Sequence, residues 1–173
     1  MTQHLPEQFV DAMCGSLQKK ALRPVTMARH GASIEAGRVY VAPGHAHLTV
    51  GSRCGGYTCA LDYGPARAAC IPSGNIMLES AAASTGGRLL GVCLTGMGDD
   101  GADGMAAVRV AGGRVIAQDE ASSVVWGMPG AVIGRGDADY VLPLSEIASG
   151  ITQLISPPAN APPNSRASRA RAA

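Results

Sequence analysis

The stretch in which residue type and spacing most suggest chemistry is Leu89 to Met105, LLGVCLTGMGDDGADGM. An apolar run, Leu89, Leu90, Val92, Cys93 and Leu94, breaks into Thr95-Gly96-Met97-Gly98-Asp99-Asp100-Gly101. Apolar residues return at Met105, Ala106, Val108 and Ala111, and Gly112-Gly113 ends the pattern. This predicts a buried parallel strand, a glycine-rich loop and a helix. In open α/β sheets such loops, at the carboxyl ends of strands, hold ligands, and the unpaired N–H groups of the following helix favour negative charge. Asp100 is therefore placed either to cap a helix or to do chemistry. An acid-rich cation site from Asp99, Asp100 and Asp103 is a further option, although at a helix start Asp100 and Asp103 also read as cap and first-turn charge.

Other reactive side chains carry less. His45 and His47 stand two apart and would share a strand face, but no carboxylate or cysteine nearby completes a ligand set, and no metal or cofactor is expected. Cys14, Cys54, Cys59, Cys70 and Cys93 form no CxxC pair and are odd in number. They fit buried or free thiols in a reducing compartment, and none is a strong nucleophile candidate.

The elements that must position these groups follow from punctuation and period. Phe9, Val10, Met13, Cys14 and Leu17 recur at helical spacing after Pro6, so His4 sits just before a helix. Val25–Ala28, Arg38–Ala42, His47–Val50 and Tyr57–Leu61 are β-compatible, with breaks at Gly31, Gly37, Pro43-Gly44 and Gly55-Gly56. Ile76–Ala83 has helical spacing. Beyond the central loop, Arg114–Ala117 predicts a strand, Pro129 opens a short helix to about Arg135, and Tyr140–Leu142 predicts a last strand. Ser145 then caps a helix carrying Ile147, Ile151 and Leu154. Alternating strands and helices predict a doubly wound, mostly parallel α/β sheet of Rossmann-like type. The 173 residues, 46% of them hydrophobic, suffice for one core over residues 1–155. From Ser156 to Ala173 the Pro, Ala, Ser and Arg composition predicts a disordered tail. A net charge of +1 calls for no nucleic-acid partner, and no apolar run is long enough to span a membrane. A soluble, cytoplasmic protein is expected.

The strings LTGMGDDGADGM and AGGRVIAQDEASSVVWGMPGAV carry more than their pattern. They resemble the chemotaxis protein-glutamate methylesterase (CheB) family, with its TGMGxDGAxGM loop and AQxEAS…GMP segment, and the resemblance runs from about Thr2 to Ile155. It implies a Ser-His-Asp triad in which His4, in the family's QHxP segment, is the general base and Asp100 holds the imidazole. The backbone at Met97 is the implied N–H donor to the oxyanion. The implied reaction is hydrolysis of glutamyl methyl esters on methyl-accepting chemoreceptors, with glutamine deamidation beside it.

Two departures from the family stand out. Its HRPSVD stretch is Cys70-Ile71-Pro72-Ser73-Gly74-Asn75 here, so the basic groups are gone and Asn75 replaces the acid. An inactive binding or regulatory module would tolerate that loss. The second departure concerns the serine. Ala83-Ser84-Thr85-Gly86-Gly87 is a string of the nucleophile's kind, but a nucleophile elbow needs a strand before it and a helix after it. Here a helix precedes and a strand follows, so the string predicts a helix ending at Gly86-Gly87. The family's first strand and helix, with the serine, are thus expected to be missing, as in an N-terminally truncated catalytic domain without its receiver domain.

Overall fold

Residues 1–156 are described by a computed structural model, and the expected tail lies, Ser156 apart, outside the described residues. The elements run α1 (Glu7–Lys20), β1 (Val25–Met27), β2 (Ser33–Ile34), β3 (Val39–Val41), β4 (His47–Arg53), β5 (Gly56–Asp62) and α2 (Gly74–Thr85). They continue with β6 (Leu90–Cys93), α3 (Ala102–Val110), β7 (Arg114–Gln118), α4 (Met128–Gly134), β8 (Tyr140–Leu142) and α5 (Leu144–Ile155). As the alternation predicts, the chain is α/β.

Parallel pairing supplies the framework. β6, β7 and β8 form one parallel sheet in sequence order, and β1 pairs parallel with β3. Val115, Ile116, Ala117 and Gln118 of β7 are all buried, as in a strand covered on both faces. Leu78 and Ala82 of α2 and Met105 and Val108 of α3 close over this sheet with Cys93, Val115 and Val132. A second cluster packs Val10 and Cys14 of α1 against Val25 and Val41. Full burial of each Val or Leu here is worth about 1.5–3 kcal/mol relative to exposure.

The third sheet, β2-β5-β4, is antiparallel. Cys54 and Gly55 join β4 to β5, both at positive φ, as a two-residue hairpin turn matching strand twist requires. The short pairing of β2 with β5 was not foreseen from the sequence, because two residues are too few to show a period. Nor does Ser145 cap α5: it lies inside the helix, and Pro143 occupies the cap position. Gly86 does end α2, in the left-handed conformation. Among the described residues, no helix is long and apolar enough to cross a membrane.

The first residues continue the β1–β3 sheet. The Met1 amine donates to the Tyr40 carbonyl (2.6 Å), and the Ala42 N–H donates to the Met1 carbonyl (2.8 Å). Met1 thus lies beside the carboxyl end of β3, and His4 follows three residues on. Gly44 fixes the path that follows, since a Cβ there would lie 2.3 Å from the Glu7 nitrogen and 2.6 Å from the Leu5 carbonyl oxygen.

Candidate active site

Asp100 is set by the loop after β6 and is 2% exposed. It does not cap the helix it precedes. Gly101, with φ of 98°, is the N-cap of α3, and no side chain caps there from the adjacent loop. The carboxylate instead turns to the start of α2. Ser73 Oγ donates to Oδ1 (2.6 Å), the Gly74 N–H to Oδ2 (2.5 Å) and the Asn75 N–H to Oδ1 (3.2 Å). Asn75 returns the contact: its Oδ1 accepts from the N–H groups of Gly101 and Gly104, each at 2.9 Å. Two helix starts, far apart in sequence, cap each other.

His4 completes the cluster. Its Nε2 donates to Asp100 Oδ2 at 2.7 Å, bridging 96 positions of sequence. The imidazole is 29% exposed. Burial alone would push the Asp100 carboxyl up. Hydrogen bonds from Ser73, the Gly74 N–H, His4 and the Asn75 N–H outweigh that and hold it below its ordinary value, as an ionised carboxylate. A carboxylate fixed in this way can orient an imidazole and stabilise its charged form while the other ring nitrogen exchanges a proton.

The loops at the carboxyl ends of β6 and β7 are fastened to each other. Thr95 Oγ1 donates to the Val125 carbonyl (3.0 Å), the Gly96 N–H to the same carbonyl (3.0 Å), and the Met128 N–H to the Gly96 carbonyl (2.8 Å). Buried Gln118 accepts from the Thr95 N–H and donates to Ser122. Met97 is 83% exposed at the tip. Among the described residues, these bonds leave its N–H without an acceptor. Leu94, Val124, Val125 and Trp126 add an exposed apolar rim.

His4, Cys70 and Asp100 place a nitrogen, a sulfur and an oxygen within 4.8 Å of one another, a donor set suited to zinc. The fit is poor. Four donors already occupy the carboxylate, and burial, with the charges of Asp100 and Asp99, pushes the Cys70 thiol up, against the thiolate that a metal requires. Asp103 faces Arg67 and Arg135 instead, so the three aspartates do not converge. His45 pairs with Glu7 and stacks on Tyr63, while His47 is buried elsewhere, and the two share no site.

No serine hydroxyl among the described residues hydrogen-bonds to His4. Ser84 lies in the last turn of α2 and donates to the Val50 carbonyl (2.8 Å), the place of a packing residue. Residues missed from the sequence are Ser73 and Gln118, together with the capping role of Asn75, while His47 enters there only as half of a metal pair with His45. The one local signal was the Ser73-Gly74-Asn75 string ahead of a helical run.

Comparison with known proteins bears on the family and the fold. The family model of CheB methylesterase matches residues 1–151. A protein-glutamate methylesterase/protein-glutamine glutaminase 2 of Saccharophagus degradans is 43% identical over 151 residues, 87% of this chain and 43% of that protein. One of the same description from Caulobacter vibrioides is 47% identical over 148 residues, 85% of this chain and 43% of that protein. The chain therefore spans less than half the length of these curated relatives. The crystal structure of the Thermotoga maritima CheB methylesterase catalytic domain superposes with a TM-score of 0.86 at 36% identity, covering 88% of this chain and 81% of that one. This chain belongs to the CheB methylesterase family.

Proposed function

We propose that these residues form part of a protein-glutamate methylesterase catalytic domain, spanning residues 1–155, with His4 as general base and Asp100 as its orienting carboxylate. The observation that carries this reading is the 2.7 Å contact from His4 Nε2 to a buried, multiply bonded carboxylate. With Nε2 engaged, Nδ1 takes the proton of a serine hydroxyl as its oxygen attacks the glutamyl ester carbonyl. The proton passes to the leaving methoxide, methanol departs, and water hydrolyses the acyl-enzyme to free glutamate and regenerated serine. The Met97 N–H has no acceptor among the described residues and is the oxyanion donor in this scheme, a contact worth about 3 kcal/mol in comparable enzymes. The nucleophile comes from outside the described residues, on a strand along the free edge of β6, which pairs only with β7 among them. The substrate is a methylated chemoreceptor in the cytoplasm, and the exposed apolar rim of Leu94, Val124 and Trp126 offers it a contact surface beside the loop. Deamidation of glutamine at the same positions uses the same attack, with ammonia leaving.

Methanol release from a receptor peptide bearing glutamyl methyl esters tests the reading. In the protein that carries these residues with the serine strand, Asp100→Ala and His4→Ala each lower kcat by about a thousandfold or more. Residues 1–173 alone release none. Wild-type turnover in either variant overturns the assignment, and ester binding without methanol release supports a binding module instead.

A further inference from the structure

A buried histidine that the mechanism does not use stands behind Asp100. His47, at the start of β4, is fully buried. Its Nδ1 lies 3.0 Å from the Ser73 nitrogen, and its Nε2 lies 3.1 Å from the Pro65 carbonyl oxygen. A backbone N–H can only donate and a carbonyl can only accept, so the hydrogen-bond network assigns the neutral imidazole with its proton on Nε2. Ser73 is fully buried as well. With its N–H held by His47, its hydroxyl reaches Asp100 Oδ1 at 2.6 Å, and the next residue's N–H reaches Oδ2 at 2.5 Å.

We infer that His47 is a positioning residue for the catalytic pair, acting through Ser73 on the Asp100 carboxylate and so on His4. The chain of contacts is continuous and each link is within hydrogen-bond distance: His47 to Ser73, Ser73 to Asp100, Asp100 to His4. Ser73 is the N-cap of α2, yet its hydroxyl makes no cap bond to its own helix. The Ser73 backbone is held from two sides, its N–H by His47 Nδ1 (3.0 Å) and its carbonyl by the Met77 N–H of α2 (3.4 Å), and the His47 side is the one that comes from outside the helix and sets the direction of the hydroxyl toward Asp100. The inference builds on the assignment of His4 and Asp100 as the working pair. Partners that orient a functional side chain from behind typically change activity by about 10- to 100-fold when lost.

Two variants separate positioning from plain packing, because asparagine and glutamine each reproduce one half of the imidazole. His47→Asn can place an acceptor near the Nδ1 position and restore the Ser73 contact. His47→Gln can place a donor near Nε2 and restore only the Pro65 contact. The first readout is the downfield NMR resonance of the His4 Nε2 proton in residues 1–173. The second is kcat against KM in the protein that carries the serine strand. The expected result is that His47→Asn keeps the resonance and a kcat within about twofold of wild type. In His47→Gln the resonance is lost to exchange with water, and kcat falls about tenfold at unchanged KM. Identical behaviour of the two variants, or a wild-type resonance in His47→Gln, overturns the inference. Should neither variant fold, Ser73→Ala reports on the same link. It keeps the backbone N–H toward His47 and removes the hydroxyl toward Asp100, and an unchanged resonance there also overturns the inference. The resonance needs no turnover, so a failed esterase assignment shows as absent activity in every protein while the relay remains measurable.

Discussion

The two members of the candidate pair are held in opposite ways. Asp100 sits between two helix starts, buried, with three donors from α2 and its cap besides His4. His4 has a single side-chain hydrogen bond among the described residues and is partly open to solvent, on a segment joined to β3 by two backbone bonds at Met1. The carboxylate would keep its place without the imidazole, and the reverse does not hold. On the proposed assignment this division is sensible: the orienting group must not move, while the base must shift slightly as it passes a proton from nucleophile to leaving group.

The largest effect expected from this contrast is that of Asp100→Ala. Removing the carboxylate strands the Ser73 hydroxyl and the N–H groups of Gly74 and Asn75 without an acceptor in a buried site, and each such orphan costs about 1–3 kcal/mol. Partial relaxation and water entry reduce the sum, and a loss of about 3–5 kcal/mol in urea unfolding near neutral pH is expected. The pH dependence carries the sign. Because the folded carboxyl lies below its ordinary value of 3.8, its stabilisation is fully present above that value and is lost as pH falls through the folded value. The stability gap between wild type and Asp100→Ala therefore narrows on acidification, and a gap that stays constant from neutral pH to about pH 2 contradicts the hydrogen-bonded, ionised carboxylate.

How much of this was visible in the sequence depended on whether the partners were local. The order β6, loop, α3 was legible because an apolar run, a glycine cluster and a helical period follow one another within about twenty residues. The sequence leaves Asp100 between cap and chemistry, and the structure, which puts it in contact with His4, makes it a cap for α2 rather than for α3. That partner lies 25 to 27 residues upstream, beyond any helical spacing rule. Asn75 shows the same thing from the other side. Against the family pattern it looked like a lost charge in a substrate pocket, but it is buried and caps Gly101 and Gly104, a task an amide performs without setting a second negative charge beside Asp100. His4 had no local signal beyond a position ahead of a helix, and only the family resemblance singled it out. His47 was weighed solely as a metal ligand beside His45, since period 2 puts both on one face. The turn before β4 separates them.

An intermediate effect is expected from disturbing only the His4 side. In Gly44→Ala the new Cβ would come within 2.6 Å of the Glu7 and Leu5 backbone, so the segment from His4 to Glu7 must shift. Overpacking of this kind costs about 1–3 kcal/mol. The sharper expectation is local: the downfield His4 Nε2 proton resonance disappears, while the amide shifts of Gly74, Asn75 and Gly101 remain near wild type. Gly31→Ala serves as a control, since it is also strained, at φ of 78°, but has open space around the added methyl. It should lose stability without touching the resonance. Equal perturbation of the α2 and α3 starts by Gly44→Ala would mean that the two sides are held as one rigid unit.

The smallest effect on folding belongs to His4→Ala, and it tests the contrast most directly. The imidazole is partly open to solvent, so water can reach the vacated side of Asp100. The carboxylate keeps three of its four donors. A loss of less than about 1 kcal/mol in urea unfolding is expected, in the range of a partly exposed ion pair. Hydrolysis, on the same assignment, is lost as fully as in Asp100→Ala, because a fixed carboxylate with no imidazole has no group to take the serine proton. The pair of variants should therefore be alike in activity and several-fold apart in stability cost. If His4→Ala proves as destabilising as Asp100→Ala, the carboxylate is not held independently by α2, and the preset half of the site is the imidazole segment after all.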